Sequence, residues 1–245
     1  MTNNRELKVQ SRSELIRFLD AISKINESSI LDIQQGSPGL VSCLVSSIDN
    51  TLILYAETTS IESNFSGSSN IPDIKKLIRV IESINTPSIN LRINTNNIEY
   101  KGDSVKFKYH LFEEGFLSKP TINLEKIKSF KYDISFSLTK DILQQIIKSS
   151  AFATDTNKIY LYTENGSLKA ELTDRARHNT DMINLNLGVV DFNLDPLPIN
   201  FDNIKLLTSV SETINVNINT EYGVVVFDII NKGIKLKYIV TSLTQ

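Results

Sequence analysis

Apolar residues recur along this chain at two periods, and the periods separate helices from strands. Four segments carry helical spacing. Residues 11–25 line up Leu15, Ile16, Phe18, Leu19, Ile22 and Ile25, and Ser11 with Glu14 three positions on predicts a capping box. Residues 72–84 line up Ile74, Leu77, Ile78, Ile81 and Ile84, with Pro72 expected in the first turn. Residues 139–150 carry Ile142, Leu143, Ile146 and Ile147. Residues 201–210 carry the thinnest stripe, Ile204 and Leu207. Elsewhere the period is two. Val105, Phe107, Tyr109 and Leu111 alternate with Lys106, Lys108 and His110, which predicts a strand with one apolar and one wet face. Ile234, Leu236, Tyr238 and Val240 repeat that pattern. Residues 159–172 read as a hairpin about Asn165-Gly166, because such turns need positive φ. Turn chemistry recurs at residues 36–39, 49–50, 96–97 and 231–233.

The pattern is written twice. Residues 88–95 (Ser-Ile-Asn-Leu-Arg-Ile-Asn-Thr) match residues 213–220 (Thr-Ile-Asn-Val-Asn-Ile-Asn-Thr) at an offset of 125, and the strand at 105–111 matches that at 234–240 at an offset of 129. Asp73-Ile-Lys-Lys-Leu77 corresponds likewise to Asn203-Ile-Lys-Leu-Leu207. An offset of that size is a domain duplication, not a solenoid period. The expected class is therefore α+β: two tandem pseudo-repeated domains, each a curved antiparallel sheet with two helices on one face. The expected boundaries are 1–114 and 133–245, with 115–132 as the connector.

Composition narrows the function classes. The 245 residues are 40% hydrophobic and 22% charged, with a net charge of -2, which is ordinary for a globular protein and offers no bulk attraction for a polyanion. No apolar run approaches the length of a membrane span or forms a signal peptide at the N-terminus. The single cysteine, Cys43, excludes an internal disulfide, so a cytoplasmic location is expected.

Catalytic chemistry is thinly represented. No phosphate-binding Gly-x-x-x-x-Gly-Lys-Ser/Thr loop is present. His110 falls on a wet strand face, and Cys43 sits in an apolar strand-like run. Residues 174–181 (Asp-Arg-Ala-Arg-His-Asn-Thr-Asp) could pair carboxylates with a histidine for acid–base or metal chemistry, and they read equally as a solvated loop. No enzyme activity, cofactor or metal is expected.

Charge is unevenly placed. The first three helical segments each net one positive charge and the fourth none, so the helices carry +3 in a chain of -2. Such faces are common on solvated amphipathic helices. They also suit a surface that follows a phosphate backbone without reading bases.

With the duplication, these features resemble the DNA sliding clamps, the ring-shaped processivity factors, and among them the two-domain trimeric clamps of T4-like bacteriophages. Residues 138–148 (Leu-Thr-Lys-Asp-Ile-Leu-Gln-Gln-Ile-Ile-Lys) resemble the first helix of the phage clamp's second domain. Residues 89–109 resemble the strands closing its first domain, and residues 191–215 the approach to its last helix. The resemblance implies a homotrimeric ring around double-stranded DNA, bound without regard to sequence. It implies a DNA polymerase and a clamp-loader ATPase as partners, in the host cytoplasm if the chain is phage-encoded, and no membrane. DNA would face Arg12, Arg17, Lys24, Lys75, Lys76, Arg79, Lys140, Lys148 and Lys205. Chains would join through Val105, Phe107, Tyr109 and Leu111 on one edge and Met182 and Leu185 on the other. Partner peptides would enter a groove at Leu117, Ile122, Leu124, Val240 and Leu243. Two rival readings stand beside this one: a β-rich structural or scaffold protein of a virion, and, third, a hydrolase built on residues 174–181.

Overall fold

The computed structural model describes residues 5–122, 131–152, 154–207 and 212–243. The chain forms two compact units, residues 1–122 with 230–237, and residues 123–229 with 238–245.

The first unit opens with β1 (Glu6–Val9) and α1 (Arg12–Ser23). Ser11 caps α1 by accepting the backbone N–H of Glu14, but the other half of the expected capping box is not made, since the Glu14 carboxylate accepts from the Ser60 hydroxyl instead. A meander follows: β2 (Ser29–Gln34), β3 (Leu40–Ser46), β4 (Leu52–Thr58), the short β5 (Ile61–Ser63), and β6 (Gly67–Ile71). Next come α2 (Ile74–Glu82), β7 (Ile89–Ile93), β8 (Asn97–Lys101) and β9 (Lys106–His110). One sheet has the order β5-β1-β7-β8-β9; β6, β2, β3 and β4 lie side by side in the other. Helices α1 and α2 pack together, and Leu15, Leu19, Leu77 and Ile81 meet side chains of both sheets around a void of about 30 Å³. The helical stripes bury their apolar residues here: Phe18, Leu19, Ile22, Ile74 and Ile81 are all at 0% exposure.

Pro72 is not in the first turn of α2. Asp73 takes the cap, its carboxylate accepting the Lys76 N–H at 2.8 Å, so Pro72 stands one residue outside the helix. Tyr109 fixes this cap from β9: its hydroxyl donates to the Asp73 carbonyl at 2.7 Å and accepts the Asp73 N–H at 3.0 Å.

The second unit repeats the order. It runs β10 (Ile134–Thr139), α3 (Lys140–Ser149), β11 (Lys158–Glu164), β12 (Ser167–Leu172), β13 (Ile183–Val189), β14 (Leu197–Asn200) and α4 (Phe201–Lys205). The chain closes with β15 (Thr213–Asn219), β16 (Val224–Asn231) and β17 (Ile234–Thr241), of which residues 230–237 belong to the first unit. One sheet has the order β13-β12-β11-β14, and β10, β15, β16 and β17 lie side by side in another. β10 pairs antiparallel with β15 as β1 does with β7, so the duplicated segments at 88–95 and 213–220 occupy equivalent strands. The β11–β12 hairpin turns on Asn165 and Gly166, with φ of 50° and 72°. Ile214, Val216, Ile218, Val225 and Tyr238 are fully buried.

Helix α4 is shorter than its spacing suggests. It stops at Lys205 with Leu206 as its cap, and the expected extension to Val210 runs into residues outside those described.

Candidate nucleic-acid and partner surfaces

The two helices of the first unit bury one face and leave cations on the other. In α1 the buried set is Leu15, Phe18, Leu19, Ala21 and Ile22, and Arg17 projects outward. In α2 the buried set is Ile74, Leu77 and Ile81, and Lys75, Lys76 and Arg79 are exposed. In the second unit, α3 buries Leu143 and Ile146 and exposes Lys148.

The structure sorts the nine helix cations into two groups. Lys24 is tied to Asp20 at 3.1 Å, Lys140 lies 3.9 Å from Glu212, and Lys205 bonds Asp202 at 2.8 Å while resting over the Phe201 ring. Arg12 is half-buried, with Nη1 turned inward. Among the described residues, Arg17, Lys75, Lys76, Arg79 and Lys148 are exposed and make no ion pair. Those five have charge available for an external anion. Exposed pairs such as Lys205–Asp202 hold weakly, so they dilute the local field without abolishing it.

The strand positions expected at subunit contacts fall on sheet edges. β9 is the last strand of its sheet, and β13 is the first of its own. Val105, Phe107 and Leu111 are half-buried, with Phe107 stacked on Tyr100 at 5.8 Å. Tyr109 is different: at 4% exposure it belongs to the core, and burial pushes its hydroxyl pKa up to about 12. On β13, Leu185 is half-buried, and Met182, just before the strand, is 58% exposed. Unpaired edges with half-buried apolar rows are the kind of strand a second chain can cover.

The expected peptide-groove residues separate. Leu117 and Ile122 line a groove of about 860 Å³ in the first unit. Its rim carries Phe116 at 70% and Ile48 at 98% exposure. Ile48 sits on a turn that is tied internally, since Asp49 accepts from the Ser47 hydroxyl and from the Thr51 N–H and hydroxyl. Lys119 clips the segment beside the groove to β2, donating to both Asp32 oxygens at 2.7 and 2.6 Å. Leu243 lines a separate pocket of about 460 Å³ in the second unit, with Tyr160, Arg175, Pro196 and Pro198. Val240 is at 0% exposure: it is a core residue and offers no groove surface. Leu124 lies outside the described residues. Sequence patterning does not single out Ile48, Phe116 or Lys119, although an isoleucine inside Ser-Ser-Ile-Asp-Asn turn chemistry is a usable signal.

Residues 174–181 link β12 to β13, and their charges hold the loop in place. Asp174 pairs with Lys158 at 2.9 Å, which draws its carboxyl below the usual range. Arg175 stacks over Tyr160 and Tyr162 and bonds Glu171 at 2.7 Å. Burial works against the Glu171 charge, but bonds from Arg175, Tyr162 and Asn184 outweigh it and lower its pKa. Among the described residues, no group of three or more His, Cys, Asp or Glu is placed to hold a metal. Cys43 is buried beside Ser29, and burial pushes its thiol up to about 12, which suits packing rather than nucleophilic chemistry. No described helix is long and apolar enough to cross a membrane.

No family model and no curated protein sequence matches this chain. Solved structures do match. The chain is similar to PCNA of A. fulgidus, in a structure with the C-terminal region of FEN-1 bound, with a TM-score of 0.75, 13% identity, and coverage of 98% of this chain and 99% of that one. It is similar to the proliferating cellular nuclear antigen of Entamoeba histolytica at a TM-score of 0.76 and 9% identity, with 98% and 99% covered. It is also similar to the DNA polymerase III beta subunit of Thermotoga maritima at 0.73 and 13%, with all of this chain and 67% of that one covered. Matches at these identities show the fold, and the fold is that of the two-domain sliding clamps.

Proposed function

We propose that this protein is a DNA sliding clamp, a non-enzymatic ring that encircles duplex DNA and tethers a replicative polymerase. The observation that carries the reading is the set of exposed helix cations without an ion pair among the described residues, Arg17, Lys75, Lys76, Arg79 and Lys148, on a clamp fold of net charge -2. A ring retains DNA by topology, so a few diffuse cation–phosphate contacts suffice, and they leave the duplex free to slide. The acidic remainder of the molecule discourages binding elsewhere.

Three finer features belong to the same reading. The repeats at 1–114 and 133–245 are the two clamp domains and 115–132 the connector, in the manner of the T4-like phage clamps. Three chains close the ring through β9 and β13, an association that closes by rotation. The polymerase and a clamp-loader ATPase dock by short peptides, for which the grooves at Leu117 and Ile122 and at Leu243 supply apolar surface. Near-complete coverage of two-domain clamps supports three chains per ring. Light scattering over a concentration series is expected to reach the mass of three chains. A mass that stays at one chain at tens of micromolar would remove the ring.

A further inference from the structure

The groove at Leu117 and Ile122 has two unlike walls. One is sheet: Ile30 on β2, Leu44 on β3 and Ile53 on β4 line it, with Ile48 on the turn between β3 and β4. The other is the irregular segment that follows β9. That segment starts from a firm anchor. The Phe112 N–H donates to the Asn70 carbonyl on β6 at 3.0 Å, and the Asn70 side chain donates back to the Glu113 carbonyl at 3.0 Å. Gly115 then turns the chain at a φ of 90°, which glycine adopts without strain. Phe116 comes back to stack on Phe112 at 5.5 Å.

Beyond Glu113 the hold is thin. The Phe116 N–H donates to the Glu113 carbonyl at 3.3 Å and the Ile122 N–H to the Pro120 carbonyl at 2.9 Å, so both bonds stay inside the segment. Glu114, Gly115, Phe116, Ser118 and Lys119 are all exposed, so burial does little to hold them down. Among the described residues, one hydrogen-bonded contact ties 114–122 to the sheet. It is the Lys119 ammonium, which donates to both Asp32 oxygens at 2.7 and 2.6 Å. Asp32 is braced to receive it. It lies directly across from Ser42 on β3 and Ser68 on β6, and the Ser68 hydroxyl donates to it at 2.8 Å.

We propose that the Lys119–Asp32 pair is a latch that fixes residues 114–122 as the second wall of the groove before any partner arrives. Lys119 is then a positioning residue: it acts by placing Phe116, Leu117 and Ile122. The proposal rests on the docking reading above for the occupant, a partner's peptide, while the latch is a property of the chain alone. Opening it leaves Glu113 as the last fixed point. A Cβ at Gly115 would meet nothing within 4 Å, so the segment has room to swing there. A wall fixed in advance spares a bound peptide the cost of ordering it. The latch also settles the groove's charge. Lys119 is the one charged residue among those lining it, and its pairing with Asp32 leaves apolar, hydroxyl and amide groups to face an occupant.

The test reads the width of the groove directly. Spin labels are placed at Ile48→Cys and Ser118→Cys, one on each wall and both exposed, while native Cys43, at 1% exposure, stays unlabelled. Pulsed electron resonance then gives the distribution of distances between them. The doubly labelled chain is expected to show one narrow peak. Adding Lys119→Met or Asp32→Ala should lose that peak to a broad spread, and Lys119→Arg should keep it. Melting temperatures should hold in all of them, since the paired side chains are 44% and 34% exposed. A narrow peak that survives Lys119→Met and Asp32→Ala would overturn the latch, as would a broad spread before either is added. Equal broadening in Lys119→Arg and Lys119→Met would overturn the ionic hold. No DNA and no partner enter the measurement, so a failed latch leaves the clamp and docking readings to their own tests.

Discussion

Replacing Lys75, Lys76 and Arg79 with Glu is expected to lower affinity for duplex DNA on the order of a hundredfold or more at low salt, with an unchanged melting temperature. All three side chains are exposed on α2 and unpaired among the described residues, so none of them belongs to the packed core. Every cation withdrawn from a phosphate should flatten the dependence of log affinity on log salt by about 0.9, and the new carboxylates add repulsion. Reversing Lys24 and Lys205, which already bond Asp20 and Asp202, should do much less. Filter binding across a salt series checks both the weakened affinity and the slope. Equal effects from the paired and the unpaired cations would show that the ion pairs do not decide which charges reach DNA.

Phe18→Ala is expected to destabilise the protein by about 3–5 kcal/mol, the range for an aromatic side chain removed from a packed core. Phe18 is fully buried on α1, and one residue away Arg17 is exposed on the opposite side. Arg17→Ala should change stability by no more than about 0.5 kcal/mol while weakening DNA binding. Denaturant titration of the two variants therefore separates the core face of α1 from its solvent face. Similar drops in stability from both would contradict the orientation of α1.

Periodicity is enough to find every described helix and most strands, because burial demands it. Capping by Ser11 and the Asn165-Gly166 turn are legible because their chemistry is local. Depth is not legible. Alternation assigns Tyr109 and Val240 to an apolar face, but a half-covered edge and a sealed core share that alternation. The Asp73 cap displaces Pro72 from the first turn of α2, and part of its support comes from Tyr109, 36 residues away. Charge counting has the same limit. The Lys24–Asp20 spacing is visible in the sequence, whereas Lys140–Glu212 and Lys119–Asp32 are set by the tertiary fold.

Encirclement is a topological property, and circular and linear DNA distinguish it most directly. The protein is loaded onto nicked circular DNA and onto the same DNA linearised, and the amount retained is followed over time in moderate salt. A sliding ring remains on the circle and runs off the free ends of the linear form. Equal release from both would contradict encirclement and favour the structural or scaffold reading instead.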